Sequence, residues 1–289
     1  MKELFTNTRL KKIVNVYQLK YTNGPAPGFG DYLRGCVCLY QICKYIGVEF
    51  EMIVNHPMSK YLTNKQNPPQ NIDYNSIEFY KDNNFLPLNE KKFTTKSDIF
   101  YRDFMMYLNS KDTEILYLFS NAFPIWKHGS EAISVIRYNI YPSNEMIDYV
   151  NQTLNELNMP ESGYNIVHIR SGDQHLLNGQ KMGYEKFRKI IYILEKYTKN
   201  DKRYIVLSDN KNLKNYLSKY ARFSVYNKEI THLGENGAKS DHGIKNTLLD
   251  FFIMSRSSRI MSITAYHHGS GFSEWCAKIY NIPYKLFKL

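Results

Sequence analysis

Short β-branched runs alternate along this chain with longer stretches in which apolar residues recur at helical spacing. The runs predict strands at 12–17, 48–54, 114–120, 166–169, 203–208, 223–226 and 259–264. The stretches between them predict helices at about 31–46, 142–157, 184–197, 213–220 and 244–255, and a last helix that ends near 279. Because strands and helices alternate, we expect an α/β protein with parallel, doubly wound sheets.

One of these strands ends in polar residues suited to an anion. The stretch 164–173 starts as a strand and ends abruptly in Ser-Gly-Asp, and His168 and Arg170 share one face of it. The carboxyl ends of strands line the ligand crevice of an open α/β sheet. Arg170 would therefore lie at the crevice mouth, where its planar guanidinium suits a phosphate or a carboxylate. The alternative is an ordinary salt bridge after a strand, for example with Asp173.

A glycine loop precedes the first predicted helix. Gly28 and Gly30 resemble the start of a dinucleotide fingerprint, but Leu33 occupies the position of its third glycine. The P-loop pattern fails as well, because Cys36 stands where that pattern requires lysine. What remains is a glycine loop at the start of a helix, which allows close approach of the backbone to a ligand.

A second anion site is predicted in the loop before the last helix. Ser270 and Ser273 offer hydroxyl groups there, and flexible glycines accompany them. The amino end of the following helix adds N–H donors. The alternative for Ser270 is a plain N-cap of that helix.

Length and charge narrow the class of protein. At 289 residues the chain is long for one domain, and segment 158–163 is the best linker, so we divide the chain into 1–159 and 160–289. The formal net charge of +11 favours an anionic ligand such as a nucleotide diphosphate, an acidic glycan or a lipid surface. Lysines are scattered and form no compact basic stripe, so we expect no nucleic-acid partner.

The sequence also bears on the compartment. Residues 1–12 are polar, and no apolar run approaches the ~20 residues that a membrane span needs. We therefore expect a cytoplasmic protein, with peripheral membrane contact left open. The cysteines match no zinc spacing and are expected to be buried, reduced thiols. They are Cys36, Cys38, Cys43 and Cys276.

Five motifs, taken in order, resemble one enzyme family. They are Gly28-Phe29-Gly30-Asp31-Tyr32-Leu33-Arg34-Gly35, His168-Ile169-Arg170-Ser171-Gly172-Asp173, Val206-Leu207-Ser208-Asp209, the segment 249–256 with Asp250, and Ser270-Gly271-Phe272-Ser273. In order and spacing they are similar to the motifs of the fucosyltransferase superfamily. That superfamily holds the protein O-fucosyltransferases, the core α-1,6-fucosyltransferases and the nodulation fucosyltransferases.

The resemblance implies a GT-B-like α/β fold, in which two Rossmann-like domains have parallel sheets that face a central cleft. Residues 1–159 would form the acceptor-side domain and residues 160–289 the nucleotide-sugar-binding domain. It further implies inverting transfer of L-fucose from GDP-fucose to a glycan or glycoconjugate acceptor, without metal or cofactor. Independently, the sequence lacks the Asp-x-Asp pattern that clamps a metal-bound diphosphate in the other glycosyltransferase fold.

The matched positions imply roles for individual residues. Arg170 would be catalytic, clamping the β-phosphate and stabilising the charge of the leaving group. Asp250 would accept hydrogen bonds from the guanine edge, His168 and Asp209 would shape the nucleoside pocket, and Asp173 belongs to the same donor site. The other donor-site positions are Ser270, Gly271, Phe272 and Ser273 around the diphosphate, with Gly28, Phe29, Gly30 and Arg34 facing the sugar and the acceptor.

Departures from the family pattern leave the catalytic base open. Core α-1,6 enzymes carry a lysine and a glutamate where this chain has Gln174 and Asn178, and Pro27 replaces the glutamate of some protein O-fucosyltransferases. Asp31 and His175 are the candidate bases, because both lie near the expected cleft and can accept a proton. The missing secretory anchor and disulfides favour a bacterial or viral enzyme. The alternatives are a GT-B enzyme that uses another nucleotide sugar, and an inactive nucleotide- or sugar-binding module.

Overall fold

The computed structural model describes residues 2–63, 69, 71–80, 90–126, 129–172, 182–200, 202–234, 240–267 and 269–289. Contacts divide the chain into two compact units. The first comprises Met1–Ser59 and Asn64–Tyr141, and the second comprises Lys60–Thr63 and Pro142–Leu289. Each unit is built on its own parallel sheet, which confirms the predicted fold class. None of the described helices is long and apolar enough to cross a membrane.

The first unit holds a four-stranded parallel sheet. Its strands are β1 (Lys12–Tyr17), β4 (Glu49–Val54), β5 (Glu78–Tyr80) and β6 (Ile115–Ser120), and a small antiparallel pair, β2 (Lys20–Tyr21) and β3 (Gly24–Pro25), follows β1. The order across the sheet is β4–β1–β6–β5, and every pairing is parallel. The helices of this unit are α1 (Phe29–Ile46), α2 (Glu90–Asn109) and α3 (Ser130–Asn139).

The second unit holds a five-stranded parallel sheet. Its strands are β7 (Asn165–Arg170), β8 (Tyr204–Ser208), β9 (Phe223–Val225), β10 (Arg259–Thr264) and β11 (Tyr284–Lys288). Its helices are α4 (Asn144–Glu156), α5 (Tyr184–Tyr197), α6 (Lys211–Leu217), α7 (Asp241–Ser255) and α8 (Gly271–Tyr280). The order across the sheet is β11–β10–β7–β8–β9, so β7 lies in the middle and its carboxyl end is flanked by those of β8 and β10.

The predicted strands and helices are present, and capping explains where two helix starts differ. Helix α6 begins earlier than predicted because the side chain of Asn210 accepts a hydrogen bond from the backbone N–H of Leu213 at 3.0 Å. Helix α7 begins after Ser240, whose hydroxyl oxygen accepts from the N–H of Gly243 at 3.0 Å. A single capping side chain thus sets each of these boundaries, which the apolar pattern does not mark.

Six described strands and helices were not predicted: α2, α3, β2, β3, β5 and β11. Helix α2 was missed although Phe100, Phe104 and Leu108 recur at helical spacing on its buried side. Strand β5 has three residues, and α3 buries three side chains, so neither shows a clear period. Strand β11 lies at the edge of its sheet, where Lys285 and Lys288 interrupt the apolar positions. Strands β5 and β11 and helix α3 depend instead on packing against β6, β10 and α1 respectively.

The chain passes between the units earlier than the predicted boundary at 159/160. Helix α4 packs against α7, and the hydroxyl of Tyr149 donates to Asn246 Oδ1 at 2.8 Å. These contacts join α4 to the second unit, so the last passage of the chain into that unit lies between Tyr141 and Pro142, after the short segment Lys60–Thr63. The division of labour between an acceptor-side domain and a nucleotide-sugar-binding domain stays a prediction.

Close packing of α1 on the first sheet depends on Gly35. The hydrophobic core around it includes Ile13, Leu39 and Leu118. A Cβ atom at Gly35 would lie 1.6 Å from the carbonyl oxygen of Ser120, the last residue of β6. The helix therefore touches the backbone of the sheet at this point, which only glycine permits.

Gly35→Ala should lower the free energy of unfolding by about 3 kcal/mol or more, because backbone atoms cannot move aside as a side chain can. Helix propensity alone would favour alanine by up to ~1 kcal/mol, so a net loss reports the packing. Urea unfolding measures it. Gly129→Ala is the matched control, since a Cβ atom there meets nothing within 4 Å. Equal urea midpoints for Gly35→Ala and wild type would contradict the close approach.

Candidate functional site

The two faces of strand β7 differ in character. Val167 and Ile169 lie on one face and pack into the hydrophobic cluster beneath α5. His168 and Arg170 lie on the other face, because side chains alternate along a strand. His168 is paired in register with Ser262 of β10. Polar residues therefore reach the carboxyl edge of the sheet, where ligands bind in open α/β folds.

A buried carboxylate holds the chain where it leaves β7. The side chain of Asp209, which follows β8, is 2% exposed, and its Oδ2 lies 3.1 Å from Nη1 of Arg170. The backbone N–H groups of Ser171 and Gly172 also donate to this carboxylate, at 2.8 and 3.2 Å. Gly172 has φ +127°, a conformation that glycine adopts without strain. Asp209 thus fixes both the turn and the guanidinium.

Two of the predicted site residues, Arg170 and Asp209, are therefore joined in an ion pair. The predicted alternative partner, Asp173, lies outside the described residues, and so does the candidate base His175. Because the Arg170 side chain is only 16% exposed, this pair is not a solvated surface salt bridge. Removing the cation would leave the Asp209 charge buried and poorly compensated.

His168 is buried beside this pair. Its ring centroid lies 6.1 Å from that of Phe272. Burial, helped by the charge of Arg170, lowers the pKa of His168 to about 3, so the imidazole is neutral at physiological pH. Among the described residues, nothing forms a hydrogen bond with its Nδ1. Buried polar atoms are rarely left in this state, and a ligand group would satisfy it.

Asp250 of α7 is buried with two partners. The hydroxyl of Tyr226 donates to Asp250 Oδ1. Burial raises the pKa of Asp250 to about 6, against the lowering effects of the Lys214 charge and the Tyr226 hydrogen bond. Burial also lowers the pKa of Lys214 and raises the pKa of Tyr226 well above its usual value. Asp250 is therefore a carboxylate whose ionisation changes just below neutral pH.

Lys214 connects the two acidic residues of the site. Its charge interacts with both Asp250 and Asp209, so two carboxylates and the cations Arg170 and Lys214 form one electrostatic cluster. Such a cluster offers fixed cations and hydrogen-bond acceptors to a charged ligand. Within the described ranges, no three His, Cys, Asp or Glu side chains are grouped as a metal site.

Lys214 and Tyr226 were not predicted as site residues. Lys214 is one of 38 Lys and Arg residues, and Tyr226 is one of 25 tyrosines, so neither stands out by type. Lys214 is nevertheless 6% exposed, because α6 packs against β8. Its place between Leu213 and Leu217, on the buried side of α6, is the signal that points to it.

The two serines of the last predicted site lie in different surroundings. Ser270 occupies the N-cap position of α8 and is buried, yet its hydroxyl makes no capping hydrogen bond. Ser273 is fully buried, and its Oγ donates to Oγ of Ser262 at 3.1 Å. Ser273 therefore ties α8 to the sheet. Ser270 lies at the amino end of α8, next to Gly271 and Phe272. The hydrogen bond that a plain N-cap serine would accept from a backbone N–H of the first turn is not formed.

The glycine loop of the first unit leads directly into α1. Gly28 is the N-cap residue and, being glycine, has no side chain to cap the helix. Phe29 and Gly30 are buried in the first turn. The carbonyl oxygen of Gly28 accepts from the N–H of Asp31 at 2.9 Å. The ring of Phe29 packs against Tyr17, the last residue of β1, with centroids 6.0 Å apart. The loop is thus held by backbone and aromatic contacts.

Arg34 is fixed on three sides. Its Nη2 lies 2.9 Å from Oδ1 of Asp31, one helical turn earlier. Its Nε donates to the carbonyl oxygen of Asn121 at 2.7 Å, and its guanidinium lies 3.9 Å from the ring centroid of Phe123. Asp31, the described candidate base, therefore has a cation beside it.

Two units, each built on a parallel sheet of Rossmann type, define the class: the chain has a GT-B-like fold. Its structure is similar to that of the fucosyltransferase NodZ from Bradyrhizobium, with a TM-score of 0.53, 14% identity, and coverage of 98% of this chain and 96% of that one. It is also similar to the NodZ α-1,6-fucosyltransferase soaked with GDP-fucose, with a TM-score of 0.52, 12% identity, and coverage of 97% and 95%. No protein-family model matches the sequence, and no curated protein matches it. The predicted resemblance to fucosyltransferases is therefore confirmed at the level of the fold.

Asp250→Asn should stabilise the chain at neutral pH. The pKa of about 6 in the folded state exceeds the unfolded value near 4, so the folded chain binds the extra proton between these pH values. The contribution of Asp250 to the free energy of unfolding is at its maximum below pH ~4 and is lost as the pH rises through ~6. The variant should therefore gain on the order of 2–3 kcal/mol at pH 7.5 and nothing at pH 4. Urea unfolding across pH measures this.

Asp241→Asn at the amino end of the same helix is the matched control. The bond to Lys60 lowers the pKa of Asp241, so its contribution to stability is lost as the pH falls. Its pH dependence should have the opposite sign. Parallel pH profiles for wild type and Asp250→Asn would contradict the perturbed ionisation of Asp250.

Proposed function

We propose that this chain is a glycosyltransferase that transfers L-fucose from GDP-fucose to a glycan or glycoconjugate acceptor. The observation that carries the proposal is the Arg170 guanidinium, held by Asp209 at the carboxyl end of β7. It is supported by a fold similar to that of a fucosyltransferase soaked with GDP-fucose. The proposed reaction is inverting and uses neither a metal ion nor a cofactor.

In this proposal Arg170 stabilises the departing GDP. Breaking the bond between fucose and the β-phosphate leaves negative charge on the phosphate oxygens. A guanidinium has five N–H donors in a planar fork, so Asp209 can orient it while it also donates to the diphosphate. Because the guanidinium is already held, it does not need to reorganise as charge develops. It therefore helps the transition state more than the ground state.

Asp250 is assigned to the guanine base. An ionised carboxylate accepts hydrogen bonds from the N1–H and the amino group of guanine, a pair of donors that uracil and cytosine do not present. Tyr226 and the Lys214 charge hold this carboxylate in position. His168, whose Nδ1 has no partner among the described residues, would gain one from the nucleotide.

The diphosphate is assigned to the amino end of α8. Backbone N–H groups of the first turn, including those of Gly271 and Phe272, and the helix dipole favour negative charge there. Ser270 adds a hydroxyl group at the same helix end. Ser273 receives a revised role, because its buried hydroxyl is bonded to Ser262 and orients the helix instead of contacting the donor.

On the acceptor side, loop 28–30 is assigned to the sugar and Asp31 or His175 to the general base. The base removes the proton of the acceptor hydroxyl as that oxygen attacks the anomeric carbon opposite the leaving group. Arg34 keeps the Asp31 carboxylate in one position through their 2.9 Å ion pair.

The cysteines fit a cytoplasmic location for this activity. All four are free and buried. Burial raises the pKa of the Cys36 thiol to about 12, which keeps it protonated and unreactive. Reduced, structural thiols of this kind are typical of a reducing compartment.

GDP should raise the melting temperature of the chain, whereas UDP and CMP at the same concentration should not. A ligand present at 100 times its Kd stabilises the folded state by about 2.7 kcal/mol, which a thermal-shift assay resolves. Preferential stabilisation by UDP or CMP would favour another nucleotide sugar. Binding of GDP without slow hydrolysis of GDP-fucose would favour an inactive binding module.

The two serines provide a matched pair for this assay. Ser270→Ala should weaken GDP binding, because losing a hydrogen bond to a charged group costs about 1.5–3 kcal/mol. Ser273→Ala should lower the melting temperature without GDP and leave GDP affinity nearly unchanged. The opposite pattern would place Ser273, and not Ser270, on the diphosphate.

Arg170→Lys should fold normally yet hydrolyse GDP-fucose about 10²-fold more slowly or worse, by analogy with the loss of one oxyanion donor. Lysine keeps the charge and can still reach Asp209, but it loses the bidentate fork. The release of GDP from GDP-fucose without acceptor measures this rate.

Arg203→Lys, an exposed arginine before β8, is the matched control and should keep full activity. Hydrolysis by Arg170→Lys at the wild-type rate would overturn the diphosphate role. If Arg170→Lys lowered the melting temperature but left the activity per folded molecule unchanged, the ion pair with Asp209 would have a structural role only.

A further inference from the structure

Helix α5 carries an exposed aromatic surface that the proposed reaction does not use. Tyr184 and Tyr192 are 71% and 60% exposed, and Tyr197 at the end of the helix is 40% exposed. These are three of the nine large hydrophobic side chains that are exposed in the described part of the chain. Concentration of exposed aromatic rings on one helix marks a candidate contact surface.

Basic side chains alternate with these tyrosines. Arg188 and Lys196 each follow a tyrosine by four residues, so Tyr184, Arg188, Tyr192 and Lys196 are neighbours along the helix surface. The Arg188 guanidinium lies 5.7 Å from the ring centroid of Tyr184. The Lys196 ammonium group lies 5.6 Å from that of Tyr192. Aromatic and cationic groups therefore form one continuous surface.

The carboxyl end of the helix meets the neighbouring edge strand. Nζ of Lys285 in β11 lies 4.1 Å from the ring centroid of Tyr197, which packs against Phe287 with centroids 4.5 Å apart. Residues 184–199 include five basic and two acidic side chains, Glu185 and Glu195, and Lys285 adds a further positive charge. We define the α5 face as Tyr184, Arg188, Tyr192 and Lys196, which follow one another at four-residue spacing; the exposed Glu185 and Glu195 lie on the same side of the helix.

We propose that the α5 face docks on an anionic lipid bilayer. Tyrosine suits the membrane–water interface because its ring is apolar and its hydroxyl is polar. Lys and Arg beside it attract anionic headgroups. The helix has 14 residues, so at ~1.5 Å per residue it presents a line of about 21 Å to a flat surface. This inference does not depend on the proposed transferase activity.

Charge and shape argue against other occupants. A second copy of the chain would bring two positively charged faces together, and like charges across an interface are unfavourable. Single-stranded nucleic acid is held in positively charged grooves. The α5 face is the outer side of a helix, so it favours a flat, negatively charged partner.

Vesicle sedimentation tests the proposal with the whole chain. Binding to vesicles that contain phosphatidylglycerol should be at least about tenfold tighter than to vesicles of phosphatidylcholine alone, and it should weaken as salt rises. Arg188→Gln with Lys196→Gln should weaken it about tenfold or more. Tyr184→Ser with Tyr192→Ser should weaken it several-fold, because two interfacial rings are lost.

Tyr138→Ser is the matched control, because Tyr138 on α3 is 69% exposed and lies outside the α5 face. It should bind vesicles like wild type. The proposal would be overturned if the wild-type chain did not bind anionic vesicles at low salt, or if both double variants bound them as tightly as wild type. It would also be overturned if no form of the chain bound vesicles and the double variants instead lost self-association or oligonucleotide binding. The thermal shift that GDP causes in each variant is measured as well, so that a change in vesicle binding is distinguished from a change in GDP binding.

Discussion

The buried carboxylate of Asp209 is the group on which the polar edge of the second sheet depends. Taking a carboxylate out of water costs several kcal/mol, and only good hydrogen bonds offset this cost. Asp209 receives them from the Arg170 guanidinium and from the backbone N–H groups of Ser171 and Gly172. The bonds that make this burial tolerable also set the turn after β7 and the direction of the guanidinium. Stability and the geometry of the site therefore rest on the same atoms.

Burial disfavours charge on two other groups, with opposite effects on their pKa values. It lowers the pKa of His168 to about 3 and raises that of Asp250 to about 6. Acidification below pH ~6.5 destabilises the fold through His168, because the unfolded chain then binds the proton first, whereas protonation of Asp250 stabilises it. These effects partly offset each other between pH ~4 and ~6. At neutral pH the imidazole stays uncharged beside the fixed Arg170 cation, an arrangement suited to an anionic ligand.

The fold was predictable where local pattern and tertiary role agree. β7 and α5 follow from apolar periodicity, and His168 and Arg170 follow from a strand that ends in a glycine turn. The partnership of Arg170 with Asp209 joins residues 39 positions apart and requires the order of the strands, which periodicity does not contain. Lys214 and Tyr226 were missed because their types are common and their burial is set by the packing of α6 and α7. Among the serines, residue type did not separate Ser270 at the helix end from Ser273 within the core.

A crystal structure of the chain with GDP tests the central claim most directly. We expect a β-phosphate oxygen about 2.7–2.9 Å from a guanidinium nitrogen of Arg170, the usual length of a charge-assisted hydrogen bond. We also expect the Arg170–Asp209 ion pair to persist and the guanine edge to face Asp250. A diphosphate bound away from Arg170, with the ion pair undisturbed and the guanine elsewhere, would contradict the account.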